Sequence, residues 1–121
     1  MSLQTSNRFN PFWKALSLSD VETVKQSLQA AVEGRFFADW EFSTLLGADR
    51  ETARKVLSDW PLITIEPADG VAIVMNALNN LLAYPHGREA ELLSYVPKGR
   101  IGISETLDRL GELLTEKSAS L

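Results

Sequence analysis

The sequence predicts an all-α fold, a compact bundle of five or six short helices. Apolar residues recur at spacings of three, four and seven in several segments, which is the pattern of helices that bury one face. Capping residues, glycines and prolines divide these segments into short lengths. A chain of 121 residues with 45% hydrophobic residues can bury one core, so we expect a single domain over residues 1–121.

The first three helices are predicted from their end signals. A capping-box pattern at Ser19–Glu22 starts the first helix, whose apolar stripe stops at Gly34. Asp39 is expected to cap a second, short helix that ends at Gly47, where a left-handed residue costs least. Asp49 is expected to cap the third helix.

Beyond Pro61, which ends the third helix, the sequence allows two interpretations. Two apolar runs within 62–74 flank a turn-like segment, which would give a small hairpin and make the fold a winged helix. The alternative is one helix from a cap near Asp69 to the breaker at Tyr84, and we favour it because its length suits a helix better. The absence of charge between Asp69 and Arg88 makes this the predicted central helix.

The rest of the sequence predicts two more helices and a separate segment at each end of the chain. We expect a short helix over 88–96, a loop over 97–100, and a last helix with an apolar stripe of Ile103, Leu107, Leu110 and Leu114. Residues 1–17 are predicted to form an N-terminal arm and residues 118–121 a disordered tail. Large aromatic residues beside helix ends are predicted to lie in the core, namely Phe36, Phe37, Trp40 and Trp60. Three more aromatic residues are predicted to dock the N-terminal arm, namely Phe9, Phe12 and Trp13.

Composition excludes several classes of function. The absence of cysteine excludes disulfide scaffolds, thiolate nucleophiles and cysteine-ligated metals. The start of the chain lacks the apolar run of a signal peptide, and no segment approaches the ~20 apolar residues of a membrane span. We therefore expect a cytoplasmic protein without a membrane partner. The net charge of −4 disfavours non-specific adhesion to nucleic acid.

The segment 39–60 resembles the helix-turn-helix of bacterial regulators. It has a small residue at Ser43, a turn glycine at Gly47, and small or apolar Ala53 and Val56 on the second helix, as two steeply crossing helices require. The resemblance implies that the third helix is a recognition helix of a homodimeric DNA-binding regulator. Its outward residues, able to meet phosphates or guanine edges, would be Arg50, Thr52, Arg54 and Lys55.

A second unusual segment begins with three asparagines on adjoining helical faces. Asparagine is unfavourable inside a helix, so these amides are expected either to bond the backbone of surrounding loops or to grip a protein partner. The run 79–87 also resembles a run in small bacterial proteins of unknown function, which implies no activity. The candidate partner-binding residues are Asn76, Asn79, Asn80, Tyr84 and His86.

No catalytic or cofactor pattern is found in the sequence. His86 is the only histidine, so a usual zinc or iron site is not expected. No serine or threonine sits in a nucleophile motif, and the loop 97–102 lacks the spacing that wraps a phosphate. We therefore expect no metal, no cofactor and no enzymatic activity, and favour a protein-interaction or regulatory module of accessory or immunity type. A DNA-binding regulator is the alternative.

Overall fold

Six α-helices make up most of residues 15–119, the part of the chain that the computed structural model describes, with side chains over 15–115. The helices are α1 (Leu18–Glu33), α2 (Asp39–Leu46), α3 (Arg50–Asp59), α4 (Pro67–Ala83), α5 (Glu89–Tyr95) and α6 (Gly99–Ala119). The described residues contain no strand, so the all-α prediction is confirmed. None of these helices combines the length and apolar character needed to cross a membrane.

Helix α4 lies at the centre of the bundle, as its uncharged sequence predicts. It packs against α1, α2 and α6 and buries the side chains of Ile73, Val74, Ala77, Leu78 and Leu81. The hairpin considered for 62–74 is wrong, because α4 begins at Pro67, whose missing N–H suits a first helical turn. Gly70 permits the close packing of this turn, since a Cβ there would lie only 2.3 Å from Cγ2 of Ile63.

The observed helix starts correct two of the predicted caps. Ser17, and not Ser19, caps α1 by accepting a hydrogen bond from the Asp20 N–H at 3.1 Å. Asp39 is already inside α2, whose N-cap is Ala38. The cap predicted at Asp49 is confirmed, because its carboxylate accepts from the Thr52 N–H at 2.7 Å.

An ion pair with a buried carboxylate joins α1 to α6. The Asp20 carboxylate, 2% exposed, accepts from Nε of Arg109 at 2.6 Å, from its Nη2 at 2.8 Å, and from Oγ1 of Thr106 at 2.8 Å. The bidentate Arg109 guanidinium lowers the pKa of Asp20, and Thr106 adds to the effect. The residue expected to lie within an N-terminal capping box therefore anchors α1 to α6.

Most aromatic residues predicted as core are buried, with one exception. Phe36, Phe37 and Trp60 are at most 6% exposed, which confirms three predictions. Trp40 is 82% exposed, so its prediction is wrong: α2 turns Phe42, not Trp40, toward the core. Phe9, Phe12 and Trp13 lie outside the described residues.

The C-terminal helix is longer than predicted at both ends. It begins at Gly99, so Arg100 belongs to α6 and not to a loop. It continues to Ala119, whereas we expected a disordered tail from residue 118; residues 120 and 121 are outside the described range.

Candidate functional site

A shallow groove rich in arginine lies where α1, α3 and the segment after α4 meet. Its volume is about 820 Å³. Four of its lining residues are arginines, whereas two are carboxylates, although the whole chain has a net charge of −4. We call it the arginine groove, defined by Arg35, Arg50, Arg54 and Arg88 around the loop 33–39 and the turn 84–88.

The walls of the arginine groove are held together by aromatic contacts. The rings of Phe36 and His86 meet edge to face at 4.9 Å, and those of Phe37 and Tyr84 at 5.5 Å. Gly34 makes the tight path of this loop possible, because a Cβ there would lie 2.5 Å from the Phe36 ring. Two segments about 50 residues apart in the sequence thus form one surface.

Arg50 is a structural part of the groove wall. Its Nη1 donates to the Val32 carbonyl at 2.5 Å, its Nη2 lies 2.9 Å from the Asp39 carboxylate, and its guanidinium lies 4.2 Å from the centre of the Phe42 ring. Its side chain is only 27% exposed. The expectation that Arg50 points outward is therefore wrong, because it closes the end of α1 against α2.

The other three arginines present their guanidinium groups to solvent. The Arg35 and Arg88 side chains are 78% and 41% exposed and lie 4.0 Å and 3.5 Å from the same carboxylate, that of Glu91. Arg54 is exposed on α3. One carboxylate cannot accept from all the N–H donors of two exposed arginines, so donors remain at this rim for a further anion.

Tyr84 and His86 support the groove. The Tyr84 hydroxyl donates to Oε1 of Glu41 at 2.5 Å, and this hydrogen bond raises the pKa of Tyr84 above its ordinary value. Nδ1 of His86 accepts from the Arg88 N–H at 2.9 Å, while its Nε2 donates to the Leu81 carbonyl at 3.2 Å. Because both ring nitrogens are engaged, His86 fixes the turn after α4.

Two of the three asparagines of α4 form hydrogen bonds within the fold, and the third is exposed. Nδ2 of Asn76 donates to the Leu46 carbonyl at 3.1 Å, and Nδ2 of Asn80 donates to the Leu45 carbonyl at 3.0 Å. These amides satisfy the last carbonyls of α2, as the structural interpretation expected. Asn79 is exposed and lies away from the arginine groove, between α4 and α6.

The structure therefore regroups the two sets of residues predicted from the sequence. Arg50 and Arg54 from the proposed recognition helix share one groove with Tyr84 and His86 from the proposed partner surface. Thr52 is half-buried and Lys55 pairs with Asp59 at 3.3 Å, both outside this groove.

Arg35 and Arg88 are the groove residues that sequence reasoning missed. Each follows a helix-ending signal, Gly34 and Pro85 respectively, and such loops carry binding residues more often than helix interiors do. The local sequence does not indicate that these two loops are neighbours. Their proximity is seen only in the fold, where Arg35 and Arg88 both lie beside Glu91.

Comparisons of the chain with models of protein families, with curated proteins and with solved structures find no significant match. Over the described residues, no group of three or more metal-ligating side chains is found either. Function is therefore inferred from the geometry of the arginine groove.

Proposed function

We propose that this protein is a non-enzymatic interaction module that binds an acidic segment of another protein in the arginine groove. The observation that carries this proposal is the convergence of three exposed arginines, Arg35, Arg54 and Arg88, on one concave surface of an acidic chain. Guanidinium groups form paired hydrogen bonds with carboxylates, and local positive charge guides an acidic partner to this face.

An exposed tryptophan supports a protein partner. Trp40 follows Asp39, which lines the groove, and 82% of its surface is open to solvent. Tryptophan and arginine are enriched at the energetic centres of protein interfaces, tryptophan through its large apolar area and arginine through paired hydrogen bonds. We expect an apolar side chain of the partner to cover Trp40 while its carboxylates meet the arginines.

Two observations weaken the alternative of DNA binding: the fold after α3, and the contacts of the basic residues on α3. The β-hairpin that would have formed a wing after the recognition helix is not present, because residues 62–74 contain no strand and α4 begins at Pro67. On α3 itself, Arg50 is used inside the fold, and Lys55 is neutralised by Asp59 one turn away. Arg54 is the remaining exposed cation on this helix, with the exposed Glu51 three residues before it.

The proposal is tested with a defined acidic probe. Fluorescein-labelled peptides of Glu and Asp interspersed with Leu and Trp are titrated with the full chain, and fluorescence anisotropy reports binding. We expect Arg54→Glu and Arg88→Glu each to raise the Kd about tenfold, which corresponds to about 1.4 kcal/mol. Affinity is expected to fall with added salt, because exposed charges are screened.

Lys55→Glu is the matched control. It makes the same change of charge on an exposed position of α3 outside the groove, and is expected to change the Kd less than twofold. A labelled random DNA duplex is titrated in parallel. If duplex binds as tightly as the peptides and Lys55→Glu weakens it as much as Arg54→Glu does, the protein-binding proposal is refuted in favour of DNA.

A further inference from the structure

A second groove, between α4 and α6, has the opposite charge. Its volume is about 1050 Å³, and its floor includes the apolar side chains of Met75 and Leu107. Its charged lining residues are Asp108 and Glu112, and no lysine or arginine lines it among the described residues. We call it the acidic groove.

Gly111 leaves space in the wall of the acidic groove. Apart from its two neighbours in the chain and the nearby backbone of its own helix, no atom of the described residues lies within 4 Å of a Cβ built at this position. Glycine in the middle of a helix lowers its stability by up to about 1 kcal/mol relative to alanine. At this position an alanine would not clash with another element of the described fold. A bulky side chain from elsewhere can approach the backbone of α6 here.

The N-terminal end of the described chain lies beside this groove. Ala15 and Leu16 line a small pocket with Arg109, Glu112 and Leu113, and Glu112 is shared with the acidic groove. The two pockets are thus separated by one helix, which is roughly 10–12 Å wide with its side chains. The six residues before Ala15 span about 20 Å when extended, so they can cross α6.

The sequence of residues 8–14 complements the acidic groove in charge and in apolar character. It carries Arg8 and Lys14, and residues 1–14 contain no aspartate or glutamate. It also carries three aromatic residues, Phe9, Phe12 and Trp13. We propose that residues 8–14 of this chain bind in the acidic groove, with aromatic side chains on the floor and the two cations beside Asp108 and Glu112.

The natural absence of cysteine allows a direct test by disulfide cross-linking in the full chain. Phe12→Cys is combined with Gly111→Cys or, as a second groove position, with Asn79→Cys. The control combines Phe12→Cys with Ser58→Cys, an exposed position on α3 outside the acidic groove. We expect intramolecular disulfides at the groove positions to form at least about tenfold faster than at Ser58, because binding raises the effective concentration of one thiol at the other.

Charge reversal separates specific binding from proximity. Asp108→Lys with Glu112→Lys is expected to slow the Phe12–Gly111 cross-link several-fold, whereas Glu105→Lys, exposed on the same helix outside the groove, leaves it unchanged. Circular dichroism confirms that each variant keeps its helices. Equal cross-linking at the groove and at Ser58 would overturn the proposal, and so would disulfide-linked dimers, which would assign the groove to a second copy of the chain.

Discussion

Breaking the ion pair between Asp20 and Arg109 is expected to lower the free energy of unfolding by an amount that depends on which residue is replaced. Arg109→Ala leaves a carboxylate that is 2% exposed with one remaining side-chain donor, Thr106. A buried charge that loses its partner costs about 3 kcal/mol. Asp20→Asn is milder, because the Arg109 side chain is 51% exposed and can turn into water, and we expect about 1–2 kcal/mol, the value of a charged hydrogen bond.

These costs are measured by thermal unfolding followed by circular dichroism. At about 4 °C per kcal/mol for a domain of this size, we expect Tm to fall by about 12 °C for Arg109→Ala and about 6 °C for Asp20→Asn. Arg54→Ala, which removes an exposed arginine from α3, is the control and should change stability by less than about 0.5 kcal/mol. A larger loss for Asp20→Asn than for Arg109→Ala would refute the reasoning, since it would mean that the buried carboxylate is not the costly group.

The same pair predicts an acid dependence. Arg109 lowers the pKa of Asp20 below its ordinary value of 3.8, so folding is stabilised above that value and the contribution is lost as the pH falls through the lower folded pKa. The difference in stability between the wild type and Asp20→Asn should be constant near neutral pH and should shrink below about pH 4. A difference that persists at about pH 2 would show that the charge does not contribute.

Three further predictions concern the packing around α4 and α2. Asn80→Ala should destabilise the protein by about 1–2 kcal/mol in urea unfolding, because its amide serves two carbonyls, whereas the exposed Asn79→Ala should be neutral within about 0.5 kcal/mol or slightly stabilising. Gly70→Ala should cost about 2 kcal/mol in the same assay, because the added methyl group would lie 2.3 Å from a buried side chain; unchanged stability would mean that this contact relaxes freely. Tyr84 should ionise above pH 10.0 in an ultraviolet titration, and Glu41→Ala should bring its pKa down; an unchanged titration would argue against that hydrogen bond.

Helix content was predictable because it depends on local signals. The apolar spacing, the cap at Asp49 and the left-handed Gly47 are properties of a few neighbouring residues, and the structure confirms them. The choice between hairpin and helix for 62–74 was harder, since short apolar runs fit both periods. Length and the missing charge favoured the helix, which the structure confirms.

The site was less predictable because its residues meet only through the tertiary fold. The helix-turn-helix resemblance predicts that Arg50 faces outward, yet the Val32 carbonyl at the end of α1 and the ring of Phe42 hold it inward. Residue type predicts Trp40 in the core, although it lies on the side of α2 opposite to the buried Phe42 and Leu46. In both cases the deciding contact comes from a neighbouring element of the fold, which helical periodicity does not describe.

The link between α1 and α6 also bears on synthesis at the ribosome. Asp20 and Arg109 are 89 residues apart, which corresponds to roughly 4–18 s of translation at ~5–20 residues per second. During that interval the carboxylate lacks Arg109, and α1 can pack against α3 and α4 but not against α6. The packing of α1 is thus completed only when α6 has been made, so a nascent chain that stalls before α6 should expose to chaperones the part of α1 that α6 covers.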